Sequence, residues 1–446
     1  MSKRLVILGA GESGVGAAIL GKARDYDVFV SDGSEIKEGF RRELEENNIL
    51  YESGTHTEEK ILNANEVVKS PGIPEKAAIM KQIRTAGIPV ISEIEFAYRY
   101  KGIGKIVAIT GSNGKTTTTS LIYHIFRHAE VDSALVGNIG YSFARQVALD
   151  PKAWYVAEVS SFQLDDIKEF RPEIAIITNV TEDHLDRYEY RMENYVASKF
   201  RIVMNQTSED YFIYNEDDPV TIEYLKTHPV KSNPFPFTMN KELNKGAFIT
   251  NGQMTIKTGD EKMQMSIYDF ALKGKHNQYN TMAAGLAPSL IGIRKSKIRE
   301  AVQSFEAIEH RMEFVITVRG VDFINDSKAT NVNSTWFALE SMSKPTILIM
   351  GGIDKGNDYS MLLELAREKV KAIVCLGLDN VKIHEAFGEM VKTIIDTRSA
   401  DEAVRSAFRL AEPNEVILLS PACASFDLFN NYEDRGNQFK QAVKNL

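Results

Sequence analysis

The sequence predicts an α/β protein of three domains. Apolar strand-like runs alternate with helix-like segments along most of the chain, for example LVIL, VFVS, IVAIT, YVAEV, IAIIT, ILIMGG, AIVCLG and VILLS. Such alternation is typical of parallel sheets wrapped by helices. The length of 446 residues suits roughly three domains. Two glycine-rich turns directly follow strands, which indicates nucleotide-binding sheets.

We place the domain boundaries near Ser92 and Phe305, which gives domains 1–92, 93–305 and 306–446. Each part opens on a strand or soon reaches one. We expect a Rossmann-like first domain, a central mononucleotide-binding domain with a phosphate loop, and a Rossmann-like third domain. Within the central part, AFITNGQMTI alternates around Asn251-Gly252, which predicts a β-hairpin in a small, peripheral antiparallel insert.

Composition indicates a globular protein of a reducing compartment. Hydrophobic residues make up 43% and charged residues 26% of the chain, and the net charge of -8 gives no sign of nucleic-acid binding. The two cysteines, Cys375 and Cys423, argue against a disulfide framework. The N-terminus has no long apolar core or small-residue cleavage site, and no run approaches the roughly 18 apolar residues of a membrane span. We therefore expect a cytoplasmic protein without membrane insertion.

The first glycine turn is Gly9-x-Gly11-x-x-Gly14, directly after the strand RLVIL. Asp32 ends the next strand, so the pattern is that of a dinucleotide fingerprint with an acid for a ribose hydroxyl. The alternative is a tight strand-to-helix turn without a ligand. A second turn, Ser70-Pro71-Gly72, follows EVVKS and would face the same crevice.

The second glycine turn lies in IVAITGSNGKTTTT at 106–119, which predicts a strand, a phosphate-binding loop and a helix. The glycines would let backbone N–H groups close around phosphate oxygens, with the helix N-terminus facing the same anion. Lys115 would reach the terminal phosphates and Thr116 would ligate Mg²⁺. Only two residues separate the glycines, where the general motif has four. The alternative is a glycine-rich turn before an ordinary helix.

Polar residues follow two further strands of the middle part. WYVAEVSSFQLD places Glu158 at the end of a buried strand, where a carboxylate is costly unless it is paired or binds a metal. A Mg²⁺ shared with Thr116 would satisfy it; alternatively, Glu158 caps the next helix. His184 lies in the polar loop after IAIIT, where ligands of α/β proteins bind. Lys199, by itself, would be interpreted as a solvated helical lysine.

Two amides and four polar clusters follow. Asn277 and Asn280 share one face of a helix-like stretch, where they could cap the helix or contact a base. The clusters lie at 309–313, 325–331, 351–355 and 420–427. The last three follow apolar runs, so they are candidates for ligand contact, with turn and cap chemistry as the alternative. Cys423, without a histidine nearby in sequence, is interpreted as an inert small residue.

Together these segments resemble the Mur ligase family, the ATP-dependent amide-forming enzymes of bacterial peptidoglycan precursor synthesis. The resemblance covers essentially the whole chain. It rests on TGSNGKTTT at 110–118, AEVSSFQL at 157–164, TNVTEDHLDRY at 178–188, HNQYN at 276–280 and EHRME at 309–313. The family's phosphate loop has the same shortened spacing. NDSKATN at 325–331 and SPACASFD at 420–427 are similar to the members that add D-glutamate.

The resemblance implies a ligase that adds D-glutamate to UDP-N-acetylmuramoyl-L-alanine through an acyl phosphate, with ATP and two Mg²⁺ ions. Its roles would be cell wall biogenesis and, through it, cell shape and division. Domain 1–92 would bind the UDP part of the substrate, domain 93–305 ATP and metals, and domain 306–446 the amino acid. We expect a monomer.

The resemblance also implies roles for individual residues. Those for the UDP substrate are Ser13, Asp32, Ser70, Gly72, Asn138, Ser160, Gln163 and His184. Those for ATP are Gly111, Ser112, Asn113, Gly114, Lys115, Thr116, Thr117, Asn277, Asn280, Arg311 and Asp326. Those for D-glutamate are Lys328, Thr330, Lys355, Ser425 and Phe426. The metal ligands would be Thr116, Glu158, His184 and a carbamylated Lys199, and the catalytic groups Lys115, Glu158, His184, Lys199 and Arg311.

One departure from the family and three alternative functions stay open. Gly33-Ser34 follows Asp32 where a related enzyme carries Thr-Arg, so the uracil contacts on that side are undecided. An NAD-dependent oxidoreductase would leave Lys115, Glu158 and His184 unexplained. A non-catalytic nucleotide-binding switch would leave the polar clusters of the third part without a role. A sister ligase adding a different amino acid would use most of the same residues.

Overall fold

The computed structural model describes residues 2–183, 185–259, 261–305, 309–354 and 356–446. The chain divides into two compact units. The first contains residues 1–270 and 279–304, and the second contains residues 271–278 and 305–446. Among the described residues, no helix has both the length and the apolar character needed to cross a bilayer.

The first sheet is built from the N-terminal part of the chain. Its elements are β1 (Arg4–Leu8), α1 (Glu12–Ala23), β2 (Asp27–Asp32), α2 (Glu38–Glu46), β3 (Leu50–Ser53), α3 (Glu58–Ile61), β4 (Glu66–Lys69), α4 (Ala78–Thr85) and β5 (Val90–Ser92). The strands are parallel in the order β3-β2-β1-β4-β5. The carboxyl ends of β1, β2 and β4 therefore share one edge, which brings the two predicted substrate turns together.

Within the described part of the chain, the central sheet has nine strands. Its elements are α5 (Glu93–Tyr100), β6 (Lys105–Thr110), α6 (Lys115–His128), β7 (Ser133–Gly137), α7 (Phe143–Leu149), β8 (Trp154–Glu158), α8 (Ser161–Leu164), β9 (Ile174–Ile177), α9 (Met192–Phe200), β10 (Tyr211–Asn215), α10 (Pro219–Thr227), β11 (Asn233–Thr238), β12 (Gly246–Thr250), β13 (Gln253–Thr258), β14 (Glu261–Ser266), α11 (Lys275–Leu290) and α12 (Lys295–Ser304). The order is β14-β13-β12-β11-β10-β9-β6-β8-β7. The strands β9, β6 and β8 are adjacent and parallel, so their carboxyl ends place the phosphate loop, Glu158 and the loop after Ile177 at one edge.

The predicted hairpin is confirmed, and its place in the fold is more specific than the sequence indicated. Thr250 pairs with Gln253 across Asn251 and Gly252, whose φ angles of 51° and 72° are those a two-residue hairpin turn requires. The hairpin is not detached from the parallel strands. Because β12 pairs in parallel with β11, the antiparallel strands β13 and β14 extend the same sheet.

The third sheet lies in the second unit. Its elements are β15 (Glu313–Val318), β16 (Val321–Asn325), α13 (Val332–Glu340), β17 (Thr346–Met350), α14 (Leu363–Lys369), β18 (Val370–Leu376), α15 (Val381–Phe387), β19 (Ile394–Thr397), α16 (Ala400–Leu410), β20 (Val416–Leu419) and α17 (Tyr432–Lys444). The order is β15-β16-β20-β17-β18-β19, parallel except for β15 against β16. All eight runs that predicted strands are strands, which confirms the α/β fold class.

Packing explains why the first two sheets share a unit. One hydrophobic cluster contains Ile7 of β1, Phe96 of α5 and Phe143 of α7. Helix α1 also packs closely on α7, where a Cβ at Gly16 would overlap the Ser142 hydroxyl. The boundary predicted near Ser92 lies inside this unit, and the three-domain boundaries stay predictions.

Candidate active site

The loop after β6 has the backbone conformation of a phosphate-binding turn. Gly111 has φ +147° and Gly114, the N-cap of α6, has φ +80°. A Cβ at Gly111 would overlap the Thr178 hydroxyl, and one at Gly114 would overlap the Asn280 side chain. Both positions therefore need glycine. Asn280, predicted to contact adenine, lies against this turn and accepts a 3.4 Å hydrogen bond from Thr118 Oγ1.

The neighbouring strand end holds the loop in place. Ser112 Oγ donates to the Thr181 carbonyl over 2.7 Å and accepts from Thr181 N–H over 2.9 Å. The Asn113 carbonyl accepts from Thr178 Oγ1 at 2.6 Å and from Asn179 Nδ2 at 3.0 Å. With its peptide groups tied on this side, the loop is preorganised for an anion at the N-terminus of α6.

Two lysines converge on one carbonyl of the loop. Lys115 Nζ donates to the Gly111 and Ser112 carbonyls at 2.8 and 2.9 Å, and Lys199 Nζ donates to the same Gly111 oxygen at 2.8 Å. Lys199 is 2% exposed, so its interpretation as a solvated helical lysine is wrong. Burial, and then the Lys115 charge, lower the pKa of Lys199 well below its ordinary value. The negative charges of Asp183 and Asp165 act in the opposite direction and raise this pKa by less.

Glu158 ends β8 and is 1% exposed. Its Oε1 accepts from Asn138 Nδ2 at 2.8 Å, while Oε2 is buried without a hydrogen-bond partner among the described residues. It does not cap the next helix. Ser160 does so, in a capping box whose Gln163 side chain accepts from Ser160 N–H at 2.9 Å. An orphaned carboxylate oxygen beside a phosphate loop fits a Mg²⁺ ligand.

A cavity of about 280 Å³ joins several of the predicted positions. The predicted residues among its lining are Gly72, Lys115, Asn138, Ser160 and Lys199. Residues predicted for the UDP substrate therefore meet residues predicted for ATP and metal in one cavity of the first unit. Thr116 and Thr117 are buried in the first turn of α6, and Thr117 Oγ1 has no hydrogen-bond partner among the described residues.

The N-terminal turns lie at the carboxyl edge of the first sheet. Asp32 accepts from the N–H groups of Ala10 and Ser34 at 2.7 and 2.8 Å, which fixes its carboxylate between the two turns that follow β1 and β2. Ser70 Oγ is buried without a partner among the described residues and lies 2.6 Å from the position that a Cβ of Gly9 would take. Ser13 is half-buried in the first turn of α1.

A second group of predicted nucleotide residues lies in the second unit. Asp326 is 5% exposed and accepts from Met312 N–H at 3.2 Å and Ser420 Oγ at 2.9 Å. Burial raises the pKa of Asp326 to about 7, against the opposing charge of Arg311. Burial, and then Arg311, lower the pKa of His276 to about 4. Asn277 donates from Nδ2 to the Lys273 carbonyl at 2.8 Å, which ties it to the start of its own helix.

Four of the residues predicted for D-glutamate lie on loops after β16 and β20: Lys328, Thr330, Ser425 and Phe426. Lys328 Nζ lies 5.1 Å from the centre of the Tyr432 ring, and Thr330 N–H donates to the Lys328 carbonyl at 3.0 Å. Ser425 is buried, whereas the Phe426 side chain is 69% exposed. Two predicted residues, His184 and Lys355, lie outside the described residues.

Sequence reasoning missed two arginines whose side chains bind loops of the candidate site. Arg187 donates to the Pro71 carbonyl at 3.2 Å and lies 4.5 Å from the centre of the Phe162 ring, so it links the loop after β4 to the central sheet. Arg435, 1% exposed, donates to the carbonyls of Ser327 at 2.8 Å and Cys423 at 3.2 Å. The run DHLDRY already contained Arg187, but no sequence signal marked Arg435.

Comparison with known proteins identifies the family. The chain matches models described as MurD N-terminal domain over residues 4–79, Mur ligase middle domain over 109–287 and Mur ligase, glutamate ligase domain over 310–423. The UDP-N-acetylmuramoylalanine--D-glutamate ligase of Christiangramia forsetii is 52% identical over 446 residues, covering 100% of both chains. The enzyme of the same name from Bacteroides fragilis is 52% identical over 445 residues, again with 100% coverage of both.

The chain belongs to the Mur ligase family. Its members are ATP-dependent amide ligases, which confirms the resemblance and the expected enzyme class and excludes an NAD-dependent oxidoreductase. Solved structures of the family share its fold. The UDP-N-acetylmuramate-alanine ligase of Thermotoga maritima has a TM-score of 0.63 at 17% identity, covering 99% of each chain. The MurF ligase of the same organism, in complex with ADP, has a TM-score of 0.59 at 13% identity, covering 100% of this chain and 98% of that one.

Proposed function

We propose that this Mur ligase joins D-glutamate to UDP-N-acetylmuramoyl-L-alanine, with hydrolysis of ATP to ADP and phosphate. Full-length identity of 52% to ligases named for that reaction supports the choice of substrates. The observation that carries the proposal is the cavity in which Gly72 and Asn138 meet Lys115 and Lys199. There the carboxylate end of a UDP-linked substrate would reach the phosphate loop.

The residues present fit a nucleotide with Mg²⁺. The turn at Gly111 and Gly114 excludes any Cβ, and the buried Glu158 Oε2 lacks a partner among the described residues. We propose that Thr116 and Glu158 hold one Mg²⁺ and a carbamylated Lys199 holds a second, with His184 as its sequence-predicted partner. The ions would supply positive charge that neutralises phosphate and carboxylate oxygens.

The chain's own residues would bring two anions together. Both the substrate carboxylate and the ATP γ-phosphate are negative, so their approach requires positive charge in a site with little water. Lys115 would exchange its carbonyl partners for phosphate oxygens. Asn138, already held by Glu158, would orient the substrate beside it. Transfer of the γ-phosphoryl group gives an acyl phosphate, and attack by the D-glutamate amine releases phosphate and forms the amide.

The loops of the second unit would select the amino acid. Glutamate has two carboxylates, which need cationic or hydrogen-bonding partners when buried. Lys328, Thr330 and Ser425 offer such groups, and the exposed Phe426 offers an apolar wall. We also propose, from the sequence, that Lys355 contacts D-glutamate.

One assay tests the proposal. Phosphate release would be measured with ATP, Mg²⁺ and UDP-N-acetylmuramoyl-L-alanine across D- and L-amino acids, and we expect turnover with D-glutamate well above every other amino acid. Lys115→Ala should lose on the order of 3 kcal/mol of transition-state stabilisation, about a hundredfold in rate. Lys226→Ala, at an exposed helical lysine, is the matched control. Preference for another amino acid would overturn the substrate, and near-normal turnover of folded Lys115→Ala would overturn the phosphate site. Size-exclusion chromatography would test the proposed monomer.

A further inference from the structure

Three side chains of the second unit converge on one another. Cys375 of β18 and Asp396 of β19 are directly paired neighbours in the parallel register. His384 lies on α15, which connects these strands. One ligand atom from each of the three lies within 4.8 Å of the other two. The proposed Mg²⁺ ligands Thr116, Glu158 and Lys199, by contrast, belong to the first unit.

We propose that Cys375, His384 and Asp396 form a binding site for a divalent transition metal of the Zn²⁺ type. A thiolate, an imidazole and a carboxylate are together the donor set that suits Zn²⁺, whereas Mg²⁺ prefers oxygen ligands. The three protein donors leave one position of a tetrahedral ion to water.

The geometry needs only small side-chain movements. His384 Nε2 lies 3.1 Å from both Asp396 carboxylate oxygens. Zinc bonds of about 2.0–2.3 Å in a tetrahedron place the donors roughly 3.3–3.8 Å apart. Cys375 is fixed in the core, but the side chains of His384 and Asp396 are 43% and 57% exposed and are able to close the remaining distance.

A neighbouring amide distinguishes the cluster from an ordinary surface ion pair above a core cysteine. Asn380 is 9% exposed, and its Nδ2 donates to Asp396 Oδ1 at 2.9 Å and to the Gly377 carbonyl at 3.2 Å. Its Oδ1 is buried without a partner among the described residues. A buried donor that orients one oxygen of a carboxylate is the support that metal-ligating carboxylates receive, and it leaves Oδ2 for the ion.

Metal binding would change the protonation of the thiol. Burial, and then Asp396, raise the pKa of Cys375, so without metal the sulfur carries its proton. On binding, the S–H bond breaks, the sulfur donates its electron pair to the ion, and the proton passes to solvent. No oxidant or reductant is involved.

A Co²⁺ titration tests the site, because a thiolate ligand gives Co²⁺ a charge-transfer band in the near ultraviolet. The chain has only two cysteines, so the source of such a band is decided by two variants. We expect Cys375→Ser to abolish the band and Cys423→Ser to retain it. One equivalent of Zn²⁺ should displace the band, and a large excess of Mg²⁺ should not.

The exposed ligands provide variants that do not disturb the core. His384→Gln and Asp396→Asn should each weaken Co²⁺ binding by about tenfold or more, whereas His228→Gln, at an exposed position of the first unit, should not change it. Unaltered thermal unfolding of the metal-free variants would show that they fold. Absence of a thiolate band in the wild-type protein, its survival in Cys375→Ser, or unchanged affinity in both His384→Gln and Asp396→Asn would overturn the proposal.

Discussion

Replacing Lys199 with alanine tests the most unusual feature of the proposed site. The unmodified ammonium group is buried and donates to the same Gly111 oxygen as Lys115. An ammonium beside a divalent ion is repelled, so in the proposed site Lys199 would act as a ligand only after reaction of its neutral amine with CO₂, which gives a carbamate and releases a proton. The lowered pKa of Lys199 favours that neutral amine. The cavity of about 280 Å³ that Lys199 lines leaves room for the added carboxylate.

The expected loss of turnover in Lys199→Ala follows from the separation of the two lysines. Each Nζ lies 2.8 Å from Gly111 O, so the nitrogens are at most about 5.6 Å apart. At an effective dielectric constant of about 20, two unit charges at that separation interact by about 3 kcal/mol. The carbamate turns this repulsion from Lys115 into attraction and adds hard oxygen donors for Mg²⁺. Losing an interaction of that size slows turnover by about a hundredfold.

The assay measures phosphate release by Lys199→Ala with all substrates present, beside Lys226→Ala as the control for loss of an exposed lysine. Short carboxylic acids should restore part of the activity of Lys199→Ala by filling the vacated oxygen positions, and should not accelerate the wild type. Carbon-13 spectroscopy under labelled CO₂ should show one carbamate signal that Lys199→Ala lacks. Turnover of Lys199→Ala within threefold of the wild type, or a free amine at Lys199 in a metal- and substrate-bound structure, would refute the reasoning.

Three further predictions concern the other parts of the proposed site. Asp32→Ala should raise the KM for the UDP substrate about tenfold or more and leave the KM for ATP within twofold, by steady-state kinetics, because a charged hydrogen bond to the substrate is lost. Thr330→Ala should raise the KM for D-glutamate by a similar factor without changing that for ATP. Burial raises the pKa of Asp326 to about 7, so its contribution to stability is complete below its unfolded value near 4 and is lost as pH rises through about 7. From pH 5 to 8 the wild type should therefore lose about 2–3 kcal/mol of unfolding free energy relative to Asp326→Asn, by urea unfolding followed through Trp336 fluorescence in a Trp154→Phe background.

Local signals predicted the elements that carry the site. The eight apolar runs form strands because strands of a covered parallel sheet are buried on both faces and read as continuous hydrophobic segments. The position of Glu158 at a strand end and the turn at Asn251-Gly252 also follow from local chemistry. The order of the strands in the sheet does not follow from local chemistry. Nothing in the sequence places β12 beside β11, so the sequence predicts a peripheral antiparallel insert without showing that its strands continue one end of the central sheet.

Contacts between distant parts of the chain could not be predicted either, because local sequence patterns do not show which segments meet in the fold. Arg435 binds Ser327 across 108 positions, and Arg187 binds Pro71 across 116. Because arginine side chains are ordinarily exposed, the residue type alone does not indicate that Arg435 is buried. Ser160 and Gln163 show the opposite case. Their spacing of three residues is that of a capping box, which the structure contains, whereas the resemblance assigns the same two residues to the substrate.

The two lysines show where sequence and structure each contribute to the argument. The sequence identifies Lys115 by its place after the glycines, but it gives no reason to bury Lys199, fifteen residues after His184. The structure supplies that reason, since Lys199 fills the space beneath the phosphate loop and donates to its Gly111 carbonyl. Both lysine amino groups contact backbone oxygens that a phosphate does not need, because the loop offers its N–H groups to an anion. Binding of the nucleotide can therefore recruit Lys115 without breaking the contacts of Ser112 and Asn113 that hold the loop.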